Sequence, residues 1–229
     1  MIGLEFDGVT KAYGGLRPLR VANLAVKVGE RVALSGLDAA AAEVFVNLAT
    51  GSGLPDQGEV RVMQQATSAI VDGDAWLASL DRFGIVSHRA VLLDNVSVAE
   101  NIAMSFSLSI DPIPPEIRVK VDALARDVDI SPEHLDQPAA AASGATRMRA
   151  HLARALSLEP AVLVLEHPTL NIDRAEVPAL AASIAQATSR RAIAVLALTD
   201  DDDLAKGMNG RRLKLNASTG EVKKRGLFF

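Results

Sequence analysis

The stretch Ser143–Asp173, SGATRMRAHLARALSLEPAVLVLEHPTLNID, decides the fold. Ser143-Gly144 opens a predicted helix carrying Arg147, Met148, Arg149, Leu152, Arg154 and Leu156. Glu159-Pro160 ends it, because proline cannot continue a helix. An apolar strand follows over Ala161–Leu165, then Glu166-His167-Pro168-Thr169 and, shortly after, Asp173. Helix, break, buried strand and an acid at the strand end make one α/β unit.

The rest of the chain is consistent with that unit. Its 229 residues suffice for one α/β domain with an inserted subdomain. A hydrophobic content of 49% and a charged content of 23% suit a globular fold. The net charge of −4 gives no electrostatic footprint for nucleic acid. With zero cysteines there are no disulfides and no thiolate metal sites, which fits a reducing compartment. The longest apolar run, Ala192–Leu198, is far short of the ~20 residues of a membrane span, so no direct membrane insertion is expected. The N-terminus MIGLEFDG carries acids where a signal peptide needs basic and then apolar residues.

The order of elements from Ser143 to Asp173 resembles the ATP-binding cassette of ABC transporters. There a Leu-Ser-Gly-Gly-Gln signature opens a helix ending near "ARAL…EP", an apolar Walker B strand ends in Asp-Glu-Pro-Thr, and a D-loop aspartate follows. Here "SG", "LARALSLEP", "AVLVL", "PT" and Asp173 stand in those places. Ala145 and Thr146 depart from the signature; Glu166 replaces the Walker B aspartate and His167 the catalytic glutamate. The resemblance covers nearly the whole chain. It implies a P-loop-type α/β fold with a mainly parallel core sheet, an antiparallel N-terminal β subdomain and an inserted helical subdomain. The expected boundaries are a core of about 1–88 and 157–229 and a helical subdomain of about 89–156.

The family's phosphate-binding pattern G-x-x-x-x-G-K-[ST] aligns with Gly36-Leu37-Asp38-Ala39-Ala40-Ala41-Ala42-Glu43, followed by Val44. "GERVALSG" before it and "NLATG" after it fix the register. Such a loop needs glycines so that backbone N–H groups can curl around phosphate, a lysine for the β/γ-phosphates and a hydroxyl for Mg²⁺. Only Gly36 remains. Ala39 and Ala41 disfavour positive φ, Ala42 replaces the lysine and Glu43 the hydroxyl. Losing the lysine removes ~1.5–3 kcal/mol. A carboxylate about 5 Å from a phosphate charge adds ~3 kcal/mol of repulsion at an effective dielectric of about 20. Together these exceed a thousandfold in affinity. Glu43 can take the phosphate's place at the helix N-terminus, or Asp38 can act as an N-cap while the alanines start the helix a turn early. Both readings leave this site without ATP.

Other positions follow from the same alignment. Tyr13, in "VTKAYGG", sits where the family's adenine-stacking aromatic stands, though a tyrosine before Gly-Gly also anchors turns. His88 stands where the family has the glutamine that senses Mg²⁺, and Asp200, in "LTDDDDLA", where it has the γ-phosphate-contacting histidine. A Glu166/His167 ATPase is not favoured, because a base without phosphate ligands has nothing to act on. Ser143-Gly144 is an ordinary N-cap locally. The resemblance makes it the piece that caps ATP bound by a partner cassette.

Coarse structure follows from pattern. Ile2, Leu4 and Phe6, then Leu24, Val26 and Val28, predict half-buried strands; Val32–Ser35, a segment through Val62, and Phe83–Ser87 predict three more. Ala75–Arg82 reads as a short helix. Ser97-Val98-Ala99-Glu100 is a capping box for a helix through Leu108, and Val121, Leu124 and Val128 give the next helix an apolar face. Ser131-Pro132-Glu133 reads as a cap and Pro138–Ala142 as filler. Helix Ala175–Ser189, strand Ala192–Leu198 and a hairpin around Ser218-Thr219-Gly220 close the chain.

The expected function is a degenerate nucleotide-binding subunit of an ABC transporter, its own ATPase activity lost. No cofactor or metal is expected in its own site, and ATP with Mg²⁺ only at a competent partner's site. Expected partners are transmembrane permease subunits, docked in a groove around residues 88–108, and a second cassette in a homo- or heterodimer. The protein would then be cytoplasmic and peripheral on the inner face of the cell membrane. The alternative is a non-transport scaffold or regulatory module that keeps the fold for protein binding. The arginine-bearing "SGATRMR" is similar to the signatures of lipid-trafficking cassettes.

Overall fold

A computed structural model of the chain describes residues 1–87 and 89–225. In chain order it begins with strands β1 (Ile2–Lys11), β2 (Leu19–Lys27) and β3 (Arg31–Ser35), then helix α1 (Ala39–Ala49). Strands β4 (Gln57–Val62) and β5 (Gln65–Ala66) lead through a 3₁₀ turn, Thr67–Ala69, to α2 (Gly73–Leu80) and β6 (Phe83–Ser87). A helical stretch follows: α3 (Val98–Ala103), α4 (Pro115–Asp127), α5 (Pro132–Leu135), a 3₁₀ turn and α6 (Gly144–Leu156). The chain ends with β7 (Val162–Glu166), α7 (Val177–Ser189), β8 (Ala194–Leu198), α8 (Asp202–Gly207), β9 (Arg211–Leu215) and β10 (Val222–Lys224).

Two sheets result. β2-β1-β4-β5 is antiparallel, with apolar and polar residues alternating along β1 and β2 as a one-sided sheet requires. The second runs β10-β9-β3-β8-β7-β6, parallel from β9 to β6 with β10 antiparallel at the edge. β7 and β8 are buried at every position, the unbroken apolar pattern of a strand covered on both faces. One core cluster joins the antiparallel sheet, α1 and one face of the parallel sheet, with Phe6 stacked on Phe45 at 4.1 Å. The other lies between the opposite face and α3, α4, α6 and α7.

The expected fold class is therefore observed. Several local expectations shift. The Ser97 capping box forms, with Glu100 N donating to Ser97 Oγ at 3.1 Å and Ser97 N to Glu100 Oε2 at 2.6 Å. Its helix stops at Ala103 rather than Leu108, because the chain tightens: Phe106 N donates to the Ala103 carbonyl at 2.8 Å and Leu108 stands 91% exposed. Ser131 caps no backbone; its hydroxyl turns to Glu133 and His134. Helix α7 begins at Val177, two residues late, behind a turn in which Ala175 N donates to Asp173 Oδ1 at 2.9 Å.

Candidate functional site

The C-terminal ends of β3 and β7 and the start of α1 meet at one end of the parallel strands. Gly36 turns the chain out of β3 at φ +94°, and a side chain there would collide with the Leu215 carbonyl. Asp38 caps α1: its carboxylate accepts from Ala41 N at 2.8 Å, while Ala42 N closes a helical bond onto the Asp38 carbonyl at 2.8 Å. The helix thus starts at Ala39, a turn early, as the alanine run predicts. Two N–H groups of this turn are taken by the protein's own acids. Asp38 holds that of Ala41, and Asp200, at the end of the β8 loop, holds that of Gly36 at 3.0 Å. Ala42 is wholly buried, and Val44 packs partly buried against the core.

One turn into α1, Glu43 reaches an arginine. Arg89, just past β6, places Nη1 2.7 Å from Glu43 Oε1 and Nη2 2.8 Å from Glu166 Oε2. Its backbone N–H donates to Ser87 Oγ at 3.1 Å, which fixes the root of the side chain. Glu166, the last residue of β7, has a side chain only 1% exposed, so its carboxylate depends on this guanidinium. Burial alone would lower the Arg89 pKa, but the Glu166 and Glu43 carboxylates outweigh it and hold it above its ordinary value.

His167 follows in the left-handed region at φ +43°, its backbone N–H donating to the Leu198 carbonyl at 3.0 Å. Its ring Nε2 is buried without a hydrogen-bond partner among the described residues. His88 lies outside the described residues. Tyr13 packs beside Val44 and Asn47 on a cleft of about 140 Å³, below the roughly 300 Å³ at which small-molecule pockets begin. Burial and, less, Asp38 raise the Tyr13 pKa.

The second group of candidate residues sits apart, at the start of α6. Ser143 caps α6, accepting from Thr146 N at 3.3 Å, and its hydroxyl donates to Glu176 Oε1 at 2.8 Å. Gly144 packs so closely on the loop after β7 that a Cβ would lie 2.9 Å from the Asn171 carbonyl oxygen. Ala145 and Thr146 are buried, and Asp173 is used within its own loop. The fold therefore joins Gly36, Asp38, Glu43, Glu166 and Asp200 in one cluster and Ser143, Gly144 and Asp173 in another. Arg89 is the residue the sequence reading missed. Its signal was indirect: two new carboxylates, Glu43 and Glu166, at positions that ordinarily surround a cation call for a cation of the protein's own.

The chain has relatives along almost its whole length. A profile of the family described as ABC transporter matches residues 19–170. The lipoprotein-releasing system ATP-binding protein of Saccharophagus degradans is 29% identical over 191 residues, covering 83% of each chain. The methionine import ATP-binding protein of Caulobacter vibrioides is 28% identical over 217 residues, 93% of this chain and 64% of that one. Among solved structures, an ATP-binding cassette captured as a dimer with ADP and Pi superposes with a TM-score of 0.75 at 21% identity, covering 98% of this chain and 100% of its own. A cassette of Clostridium perfringens, part of an ABC transporter complex, gives a TM-score of 0.79 at 21% identity, covering 98% and 88%. These two likenesses bear on the fold.

Proposed function

The chain belongs to the ABC transporter family, and we propose that within it this protein is a cassette without a nucleotide site of its own, serving as a structural and coupling subunit. The observation that carries this is the Arg89 guanidinium held between Glu43 and Glu166. Glu43 stands where the resemblance places the magnesium-binding hydroxyl, and Glu166 where it places the Walker B acid. A magnesium ion would have to displace a guanidinium already paired with both carboxylates. A polyphosphate would meet Asp38, Glu43 and Asp200, with the Gly36 and Ala41 N–H groups already occupied. Mg-ATP does not fit this site.

Coupling rests on a different face. A groove is lined by Ile85, Ser105, His151, Arg154 and Leu158, and Arg154 Nη1 donates to the carbonyl of Val91, itself 73% exposed. This face supports docking of a transmembrane permease subunit, which would hold the chain at the cytoplasmic side of a membrane. No helix among the described residues is long and apolar enough to cross one itself. The protein would pair with itself or with a competent cassette. A lipoprotein-releasing type of assembly suits the similarity of "SGATRMR" to lipid-trafficking cassettes. Completing a partner's ATP site through Ser143-Gly144 requires the Ser143 hydroxyl to leave Glu176.

Calorimetry of the purified chain with Mg-ATP up to millimolar concentration tests the proposal. The expected result is no binding heat and no thermal shift. Micromolar binding would overturn it. The variant Ala42→Lys/Glu43→Ser is expected to stay silent too, since the alanines at 39 and 41 still start the helix early.

A further inference from the structure

Away from the site just described, a cleft of about 510 Å³ opens beside α2. That is within the range of roughly 300–1,000 Å³ typical of small-molecule sites. Val62, Ile70, Ala75, Ala78 and Phe83 give it apolar walls, and Arg82 is its one charged lining residue among the described residues.

The helix over this cleft lacks what normally holds a helix. None of the eight residues of α2 is buried. Helices this short do not persist in water on propensity, and their stability comes from packing an apolar face. Here α2 is held by its cap, Asp72 accepting from Ala75 N at 2.8 Å, and by Trp76 Nε1 donating to the Thr50 carbonyl at 3.0 Å. The alanines that should pack face open space. Two polar features of the cleft are also incompletely used. The Arg82 guanidinium hydrogen-bonds Gln65 but forms no ion pair among the described residues. Thr67, in the wall, keeps a buried hydroxyl without a partner among the described residues.

We propose that this cleft binds a small monocarboxylate with an apolar body, its carboxylate on Arg82 and its hydrocarbon beneath α2. The ligand supplies the apolar packing that α2 lacks and the anion that Arg82 lacks. The cleft's volume and its apolar walls around a guanidinium fit a small molecule with one anionic group. The site is separate from the Arg89 cluster, and its occupancy does not depend on whether the chain binds ATP.

Trp76, the only tryptophan in the chain, sits on α2 with its indole bonded to the lining residue Thr50, and serves as the reporter. Decanoate, titrated below its micellar concentration, is expected to change Trp76 emission saturably, while decylamine at equal concentration does not. Arg82→Gln is expected to weaken decanoate about tenfold, the loss of one charge-assisted contact. Ala78→Phe, which fills the cleft, is expected to abolish the response, with circular dichroism confirming the fold; if that variant misfolds, Arg82→Gln alone decides. An emission change that never saturates, or equal responses to decanoate and decylamine, would overturn the proposal by pointing to adsorption on exposed Val71 and Leu77. No response at all, or undiminished binding in Arg82→Gln, would overturn it too.

Discussion

The two ends of this cassette that the family resemblance pairs with nucleotide have changed in different ways. At the start of α1, Gly36 remains and the residues around it satisfy one another: Asp38 caps the helix, Asp200 occupies the Gly36 N–H, and Arg89 bridges Glu43 and Glu166. At the start of α6, Ser143 and Gly144 remain, the cap is intact, and the glycine still packs against the loop after β7. The first end is closed by a network of the protein's own charges. The second keeps the local geometry with only its serine hydroxyl diverted to Glu176. An arginine can thus tie carboxylates from two elements, one of them buried, into a structural joint.

The comparison breaks most sharply at Arg89. Removing one partner of a buried pair leaves an uncompensated charge, at a cost of 3–5 kcal/mol, of order. With the Arg89 side chain 41% exposed, Arg89→Gln is expected near the low end, about 3 kcal/mol in urea unfolding. Arg89→Gln/Glu166→Gln should lose less than Arg89→Gln alone, since neither partner is then charged. A double-mutant cycle showing less than about 0.5 kcal/mol of coupling would mean the joint is not held by this pair.

Next in size is a pH effect in the middle of α6. His151 is 8% exposed; burial first, then the charges of Arg154 and Arg147, push its pKa down to about 4. The unfolded chain takes up this proton below its ordinary value of 6.5, whereas the fold resists it until about 4. Stability from this group is therefore complete above pH 6.5 and declines as pH falls toward 4, by at most about 3 kcal/mol. His151→Gln should flatten the slope in that window. An unchanged slope would place the acid sensitivity elsewhere.

What the sequence made legible follows from range. The order from α6 through β7 depends on neighbouring residues, on a helical stretch, a proline break and an apolar run; both elements form, the strand one residue later than read, at Val162–Glu166. The early start of α1 was likewise local: Asp38 and four alanines contain both the cap and the propensity. The extent of α3 was not, because its end is set by a tightening of the turn at Phe106 rather than by Gly or Pro in the sequence. The Arg89 bridge was the least legible. It requires residues 43, 89 and 166 to converge from three elements, and no spacing pattern announces that. The polar joint at Asn101, buried and bonded to Leu93 and Ser97, escaped for the same reason.

Gly144→Ala tests whether the α6 end is as tightly built as it looks. A Cβ 2.9 Å from the Asn171 carbonyl forces backbone to move, and overpacking of this kind costs about 1–3 kcal/mol. A loss below about 0.5 kcal/mol in thermal unfolding would show that the loop after β7 yields freely and that this end is not rigid.

The smallest effect decides most about function. Asp38→Ala and Ser143→Ala each remove an N-cap, and each is expected to cost about 1 kcal/mol of stability. In stability the two ends are then equivalent, and only activity separates them. In an assembly with a competent cassette, Ser143→Ala is expected to lower the partner's ATP turnover, because a hydroxyl at the N-terminus of α6 is available to a phosphate once Glu176 releases it. Asp38→Ala is expected to leave that turnover unchanged, because its helix N-terminus lies in a site closed by Arg89 and Asp200. Equal turnover in both variants would mean that the α6 end, like the α1 end, serves the fold alone.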